Sequence, residues 1–348
     1  MMRRVGFLAC LCLLLVRSSL DAQSAAPPGW TWNAVSPARG PLRILVIYDM
    51  EGLSGLNDLE MTECGYPDSY AAGQARLAAD VNAVIEGLFQ ARVSSVDVAD
   101  RHGSGCEDTP DLPSAFLHPK AREVSEHGAP FLERIGRGDW DAVVLVGGHA
   151  SPGRGGFLEH VGGFGFERII NGVSVSESEQ TGLVFGGSGV PIIFASGDDR
   201  YGAQLRERMP WVGFVEVKRA TSRTSVELRI PDAVRAELIA RARDAIANRD
   251  RAMTLALVPP LTGAYRPVWP QTLEPLAGIP GVDVSKGQIE VSGGNLAELN
   301  AAINKVQFGV ASVTTSGTMW DAITQERQLD RSRDSVFMAR WKEGPPKR

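Results

Sequence analysis

Arg43-Ile44-Leu45-Val46-Ile47-Tyr48-Asp49-Met50-Glu51-Gly52-Leu53-Ser54-Gly55 is the stretch on which the fold turns. From Ile44 to Tyr48 it is apolar without alternation, the pattern of a strand covered on both faces. Two carboxylates, Asp49 and Glu51, stand directly beyond that strand's carboxyl end. Downstream, Leu77, Val81, Val84, Ile85, Leu88 and Phe89 fall at i, i+4, i+7, i+8 spacing between Ser69 and Gln90, which predicts an amphipathic helix. Apolar runs at Val93–Ala99, Ala142–Val146 and Val190–Ala195 predict three further strands. The fold class is therefore α/β, a mostly parallel sheet flanked by helices.

A second, smaller α/β domain is expected after the sheet. Pro231 to Asn248 carries Val234, Leu238, Ile239, Ala242 and Ile246 on one helical face, and Asn295 caps a helix running through Leu299, Ile303 and Val306. The Pro-rich stretch Val258 to Pro270 reads as a rigid excursion between them. The expected organisation is an export signal over 1–22, a linker arm over 23–41, a metal-binding catalytic domain over 42–225, the second domain over 226–324 and a charged tail over 325–348.

The amino-terminal assignment rests on Arg3 and Arg4, the apolar run Val5 to Val16, and the small residues up to Ala22, the layout of a cleaved secretory signal. Its apolar run is too short to cross a hydrocarbon core of about 30 Å, so no stable membrane insertion is expected after cleavage and the protein is placed in the periplasm or outside the cell. Loss of residues 1–22 would remove three arginines and one aspartate and take the formal charge from -5 to -7. An acidic chain without a basic stripe excludes nucleic acid as a partner. Cys64 and Cys106 would be the cysteines left, free to pair in an oxidising compartment. Two cysteines cannot build a Cys-rich zinc knuckle, so a metal would need imidazole and carboxylate.

The chain has five histidines, and two of them occupy equivalent places. His102 lies just beyond the second strand, and His149 follows the third through Gly147-Gly148. Ligands in open α/β sheets bind at the carboxyl ends of strands, so Asp49, Glu51, His102 and His149 converge there. Imidazole with carboxylate suits zinc, and a carboxylate can bridge two ions. Glu177 and Glu179, alternating in Ser174-Val175-Ser176-Glu177-Ser178-Glu179, offer further carboxylate or a solvated edge. A metal pair roughly 3.5–4 Å apart activates water near neutral pH, polarises a carbonyl and docks a free amine, which suits aminopeptidase chemistry. His160, eleven residues past His149, sits where a Gly-rich loop can fold it back as acid, base or nucleophile. Glycines 155, 156, 162, 163 and 165 can line a pocket but form no phosphate loop, dinucleotide fingerprint or serine-nucleophile elbow.

These motifs resemble those of the zinc-dependent D-aminopeptidase family. Asp49-Met50-Glu51-Gly52-Leu53-Ser54-Gly55 is similar to its opening motif, Asp100-Arg101-His102 to its Asp-Ser-His, Gly148-His149-Ala150 to its Tyr-His-Ala, and Gly197-Asp198-Asp199-Arg200 to its Gly-Asp-Asp-Arg. The similarity runs from Leu42 to Val313, through Val217-Lys218, Thr221-Ser222-Arg223 and Pro280-Gly281. It implies a di-zinc centre on Asp49, Glu51, His102, His149 and Glu177, with Asp49 bridging, and His160 as the catalytic histidine. It also implies short D-amino-acid peptides such as D-Ala-D-Ala and D-Ala-Gly-Gly as substrates, and a homo-oligomer, a ring-shaped decamer. The chain departs from that pattern in its export signal, its arm, its tail and the Gly-Arg-Gly-Gly of the His149–His160 loop.

The leading expectation is thus an exported di-zinc aminopeptidase. The alternatives are a metal-dependent hydrolase of another amide or a phosphate ester, and a non-catalytic exported peptide-binding protein that keeps zinc structurally.

Overall fold

The structure, a computed structural model, describes residues 25–303 apart from 104, 107–108, 163–165 and 268–286. The expected signal 1–22, the tail 325–348 and Val306 lie outside the described residues. In chain order the elements begin with β1 (Trp30–Ala34), β2 (Arg43–Tyr48), α1 (Pro67–Gln90), β3 (Ser95–Asp100), β4 (Arg122–Val124), α2 (Ala129–Gly136) and β5 (Ala142–Gly148). They continue with β6 (Phe166–Ile170), β7 (Val173–Ser174), α3 (Glu177–Gly186), β8 (Ile192–Asp198), α4 (Asp199–Arg208), β9 (Gly213–Ser222) and β10 (Ser225–Leu228). The last are α5 (Pro231–Ala247), β11 (Met253–Leu257), β12 (Leu261–Pro267) and β13 (Ile289–Gly293).

Strand β2 has no polar position between Ile44 and Tyr48 because each of its faces meets a core. Ile44 and Val46 share one core with Leu77, Val81 and Val84 of α1, whereas Leu45 and Ile47 share the other with Leu183 of α3 and Leu205 of α4. The seven-stranded sheet runs β10-β9-β8-β5-β2-β3-β4. Its strands pair in parallel except β10, which turns back antiparallel on β9. This is the α/β architecture expected from the apolar runs.

The domain plan differs in three places. The arm expected over 23–41 contains β1, which pairs antiparallel with β11, and buried Trp30 donates from Nε1 to the carbonyl of Ile170 at 3.2 Å. A short strand with two tryptophans docks readily, and its lack of apolar period hides it. Helix α5, expected in the second domain, packs on α1: Val234, Leu238 and Ala242 share one core with Val81, Val84 and Ile85. An amphipathic face shows that a helix docks and leaves open on which core it docks. The third difference is β12, a strand inside the stretch read as a rigid excursion.

A smaller antiparallel sheet, β13-β12-β6-β7, does exist. It draws β6 and β7 from the expected catalytic domain and β12 and β13 from the later part, so chain order does not divide the molecule at 225/226. Leu299 and Ile303, on a helical stretch over 296–303, are buried against it, and Asn295 Oδ1 caps that stretch by accepting from the Glu298 amide at 3.0 Å. Among the described residues no helix is long and apolar enough to cross a membrane.

Candidate metal centre

Six side chains from five stretches meet at the carboxyl edge of the parallel sheet. Asp49 and Glu51 leave the end of β2, His102 follows β3, His149 follows β5, His160 returns on the next loop, and Glu177 opens α3. The ends of β2 and β5 can approach because glycines stand between them. Gly147 has φ 77°, and a Cβ there would fall 2.2 Å from the Asp49 carbonyl; one on Gly52 would fall 2.1 Å from the Gly148 carbonyl. Backbone bonds from Asp49 N to Val146 O and from Gly52 N to Gly147 O, both 2.8 Å, hold this seam.

Ligand-capable atoms fall into two adjoining groups, Asp49 with Glu51 and His102, and His149 with His160 and Glu177, each within 4.8 Å. Glu51 Oε1 lies 3.3 Å from His102 Nε2 and 4.0 Å from His160 Nε2, and Asp49 Oδ2 lies 3.4 Å from His149 Nε2. The rings of His149 and His160 stack with centroids 4.1 Å apart. Glu177 Oε1 accepts from the Gly162 amide at 2.6 Å, and its Oε2 is 3.8 Å from Arg101 Nε.

The electrostatics are those of crowded, buried, like-charged acids. Burial and then the Glu51 charge push Asp49 up to about 8. Burial opposes ionisation of Glu51, yet His102 and His160 hold it well below the usual carboxylate range. Burial works against protonated His149, but Asp49 raises it to about 10. Burial and the neighbouring His149 push His160 down. Glu51 Oε2 and His149 Nε2 are buried without a hydrogen-bond partner among the described residues. A carboxylate oxygen and an imidazole nitrogen left without hydrogen bonds, beside two adjacent carboxylates, fit a divalent cation such as zinc.

The D-aminopeptidase family profile matches residues 42–304. The chain belongs to that family. A D-aminopeptidase of Bacillus subtilis is 29% identical over 229 residues, which cover 65% of this chain and 80% of that protein. The solved structure of the zinc-dependent D-aminopeptidase DppA from Bacillus subtilis, described as a self-compartmentalizing protease, superposes with a TM-score of 0.69 at 23% identity. That superposition covers 78% of this chain and 97% of the other.

In this family member the structure brings all six expected side chains together, and it separates the two glutamates. Glu179 does not alternate with Glu177 along a strand. It closes a capping box at the start of α3, where its carboxylate accepts from the Ser176 amide and hydroxyl while the Ser176 hydroxyl accepts from the Glu179 amide. The Ser-x-x-Glu spacing of Ser176 and Glu179 carries that signal in the sequence. His160 falls in a ligand-capable group as well as beside one, so its position suits coordination as well as proton transfer.

Further residues support the centre, and the roles of Asp111, Tyr70, Gln74 and Lys218 in it do not follow from their spacing in the sequence. Fully buried Asp111 accepts from Tyr70 and lies 3.2 Å from His102 Nδ1, which leaves His102 Nε2 toward Glu51. Gln74 Nε2 donates to the Pro110 carbonyl at 2.6 Å, and a Cys64–Cys106 disulfide ties the same loop to the chain ahead of α1. Lys218 of β9, fully buried, donates to the carbonyls of Glu51 at 2.5 Å and Leu56 at 2.7 Å. Its Nζ also lies 4.5 Å from the ring centroid of Phe157, so it joins the Glu51 turn to the His160 loop. No spacing rule identifies such groups, because they act on backbone carbonyls or on loops whose path is set in three dimensions.

Proposed function

We propose that this family member is an exported di-zinc aminopeptidase that removes amino-terminal D-residues, D-alanine among them, from short peptides such as D-Ala-D-Ala. The observation that carries the reading is the buried meeting of three imidazoles and three carboxylates, in which Glu51 Oε2 and His149 Nε2 have no hydrogen-bond partner among the described residues. Asp49, Glu51, His102, His149 and Glu177 would hold the two zinc ions. When bound, zinc supplies Lewis acidity that polarises a carbonyl and acidifies water.

The chain's own groups supply the rest. His160 Nδ1 lies 2.9 Å from the Leu158 carbonyl, which assigns its proton there and leaves Nε2 as the acceptor on the carboxylate side. Its lowered pKa keeps the ring neutral near pH 7, as a general base or nucleophile requires. The activity named for the Bacillus subtilis relative supports the reaction, and the zinc dependence of the solved structure supports the metal. Its self-compartmentalizing character supports a homo-oligomer, a decamer on the family resemblance. The Cys64–Cys106 disulfide supports a periplasmic or secreted location.

The test is zinc analysis of the purified protein combined with release of free D-alanine from D-Ala-D-Ala and of L-alanine from its enantiomer. Near two zinc per chain, D-release faster than L-release, and loss of turnover on chelation with recovery on adding zinc are expected. Equal rates on the two enantiomers overturn the stereochemical part. Hydrolysis of phosphate esters without peptide cleavage overturns the reaction.

A further inference from the structure

The aminopeptidase reading leaves one problem of charge. A short peptide that docks its amino group at the centre carries a terminal carboxylate beyond it, and that carboxylate needs a counter-charge of its own. An extended chain advances about 3.3–3.6 Å per residue, so a dipeptide's carboxylate lies about 7 Å from its amino group. A cation one side chain away from the ligand cluster would match that length.

Arg101 stands there. Its backbone amide donates to the Tyr48 carbonyl at 3.1 Å, which fixes it at the ends of β2 and β3, immediately before His102. Its side chain reaches across to the first turn of α3, with Nε 3.8 Å from Glu177 Oε2. The contact is loose by this molecule's own standard. Arg43 grips Asp141 through Nε at 3.0 Å and Nη2 at 2.9 Å, and Arg122 and Arg134 share Asp97 at 2.8 and 3.0 Å. Arg101 makes no such fork with any described residue, and 36% of its side chain is exposed, against 16% for Glu177. An arginine whose ion pair is a single 3.8 Å contact and whose side chain is more than a third exposed keeps a planar donor pair to offer, the geometry that carboxylates accept.

We propose that Arg101 receives the terminal carboxylate of the substrate, which makes the preferred substrate a dipeptide or similarly short peptide with an uncapped carboxyl end. The proposal rests on the aminopeptidase reading and adds a specificity determinant to it. Arg101 touches the substrate and takes no part in proton transfer.

The experiment compares D-Ala-D-Ala with its carboxamide on the zinc-loaded protein, as wild type, Arg101→Gln and Arg101→Lys. Wild type favours the free acid in kcat/KM. Arg101→Gln lowers that acid-to-amide ratio about 10–100-fold, mostly through KM for the acid, the range expected for a charge-assisted pair. Arg101→Lys retains part of the preference as a point charge. Zinc content of each variant is measured alongside, because an arginine that only steadies Glu177 would change metal retention and both substrates together. An acid-to-amide ratio equal in wild type and Arg101→Gln, or parallel loss of zinc and of both activities, overturns the proposal. A zinc-loaded wild type that cleaves neither peptide ends the aminopeptidase reading instead, and calorimetric binding of the same acid and amide to wild type and Arg101→Gln then decides the arginine's role.

Discussion

Replacing Glu159 with glutamine keeps the shape of the side chain and removes its charge, which isolates the clamp beneath His160. Glu159 is 2% exposed and sits next to His160 in the chain. Its carboxylate accepts backbone amides from Gly153 at 2.9 Å, Gly155 at 2.6 Å and Gly156 at 3.0 Å, and the Nε of Arg223 at 2.9 Å. Leu158 N donates back to the Arg223 carbonyl at 2.8 Å, so the loop is stapled on both sides to the turn between β9 and β10. The loop therefore folds around the buried Glu159 carboxylate, and Asp198 of β8 holds it at one further point by accepting from the Phe157 amide at 2.8 Å. With glutamine, one acceptor oxygen becomes an amide group facing donors, and the Arg223 guanidinium, 14% exposed, loses its counter-charge.

Removing one member of a buried pair costs about 3–5 kcal/mol, and here nearly all of it falls on residues 153–160 and Arg223. The cost appears first as local opening of the loop, because the parallel sheet shares none of the Glu159 bonds. If opening absorbs the whole cost, the closed fraction falls by up to about 10²–10³, and kcat falls with it. Zinc content holds, since His149 and Glu177 keep their own contacts. The assay is kcat and KM on D-Ala-D-Ala with zinc per chain, for Glu159→Gln, Arg223→Gln and the double variant. A double-mutant coupling of about 3 kcal/mol is expected. Turnover by Glu159→Gln within twofold of wild type, or additive single effects, would refute the clamp.

Two further outcomes follow from groups outside the cluster. Cys64→Ser with Cys106→Ser opens a loop of 42 residues, which costs about 4 kcal/mol by chain entropy, and it should also weaken zinc retention through the Asp111 support of His102; unchanged urea midpoints and unchanged zinc content would contradict this. Asp80, buried and accepting from the Ser54 amide and hydroxyl, is pushed up by burial from the ordinary carboxylate value of 3.8 to about 6. The folded state then holds a proton that the unfolded chain has released, so this group's contribution falls as pH rises through that window, by about 3 kcal/mol in all. Asp80→Asn should therefore gain stability relative to wild type from pH 4 to pH 7 in urea titrations, and a difference that stays flat with pH would rule the burial penalty out.

The sheet could be read because a strand buried on both faces leaves a run of apolar residues that no other element explains. Ile44 to Tyr48 and Ala142 to Val146 are such runs, and each proved to serve two cores at once. The division of the molecule could not be read the same way. Helix α5 shows an apolar face in sequence, but its partner is set in three dimensions: it shares a core with α1, and a Cβ on Gly87 of α1 would fall 2.3 Å from the Ile239 carbonyl. Strand β1 was missed for the opposite reason. Its pairing with β11 uses backbone hydrogen bonds, which any residue but proline can make, so its five residues carry little pattern of their own.

The candidate site was legible to the extent that parallel sheets collect loops at one edge. That rule brings Asp49, Glu51, His102 and His149 together from their positions after three strands, without any knowledge of the loops between. It does not choose between Glu177 and Glu179, which are two residues apart. The choice is made by the helix start. The first turn of α3 needs an acceptor for the amide of its cap, and Ser176 supplies the geometry that only a residue three positions on can complete. Glu179 is consumed there and turns inward, where Gln204 Nε2 also donates to it at 2.9 Å. Glu177, one position after the cap, has no such duty and projects to the sheet edge, where the Gly162 amide and Arg101 meet it. The same local chemistry that starts the helix thus leaves one acidic side chain free for the centre, and Glu179→Gln should disturb α3 before it disturbs zinc binding, while Glu177→Gln should do the reverse.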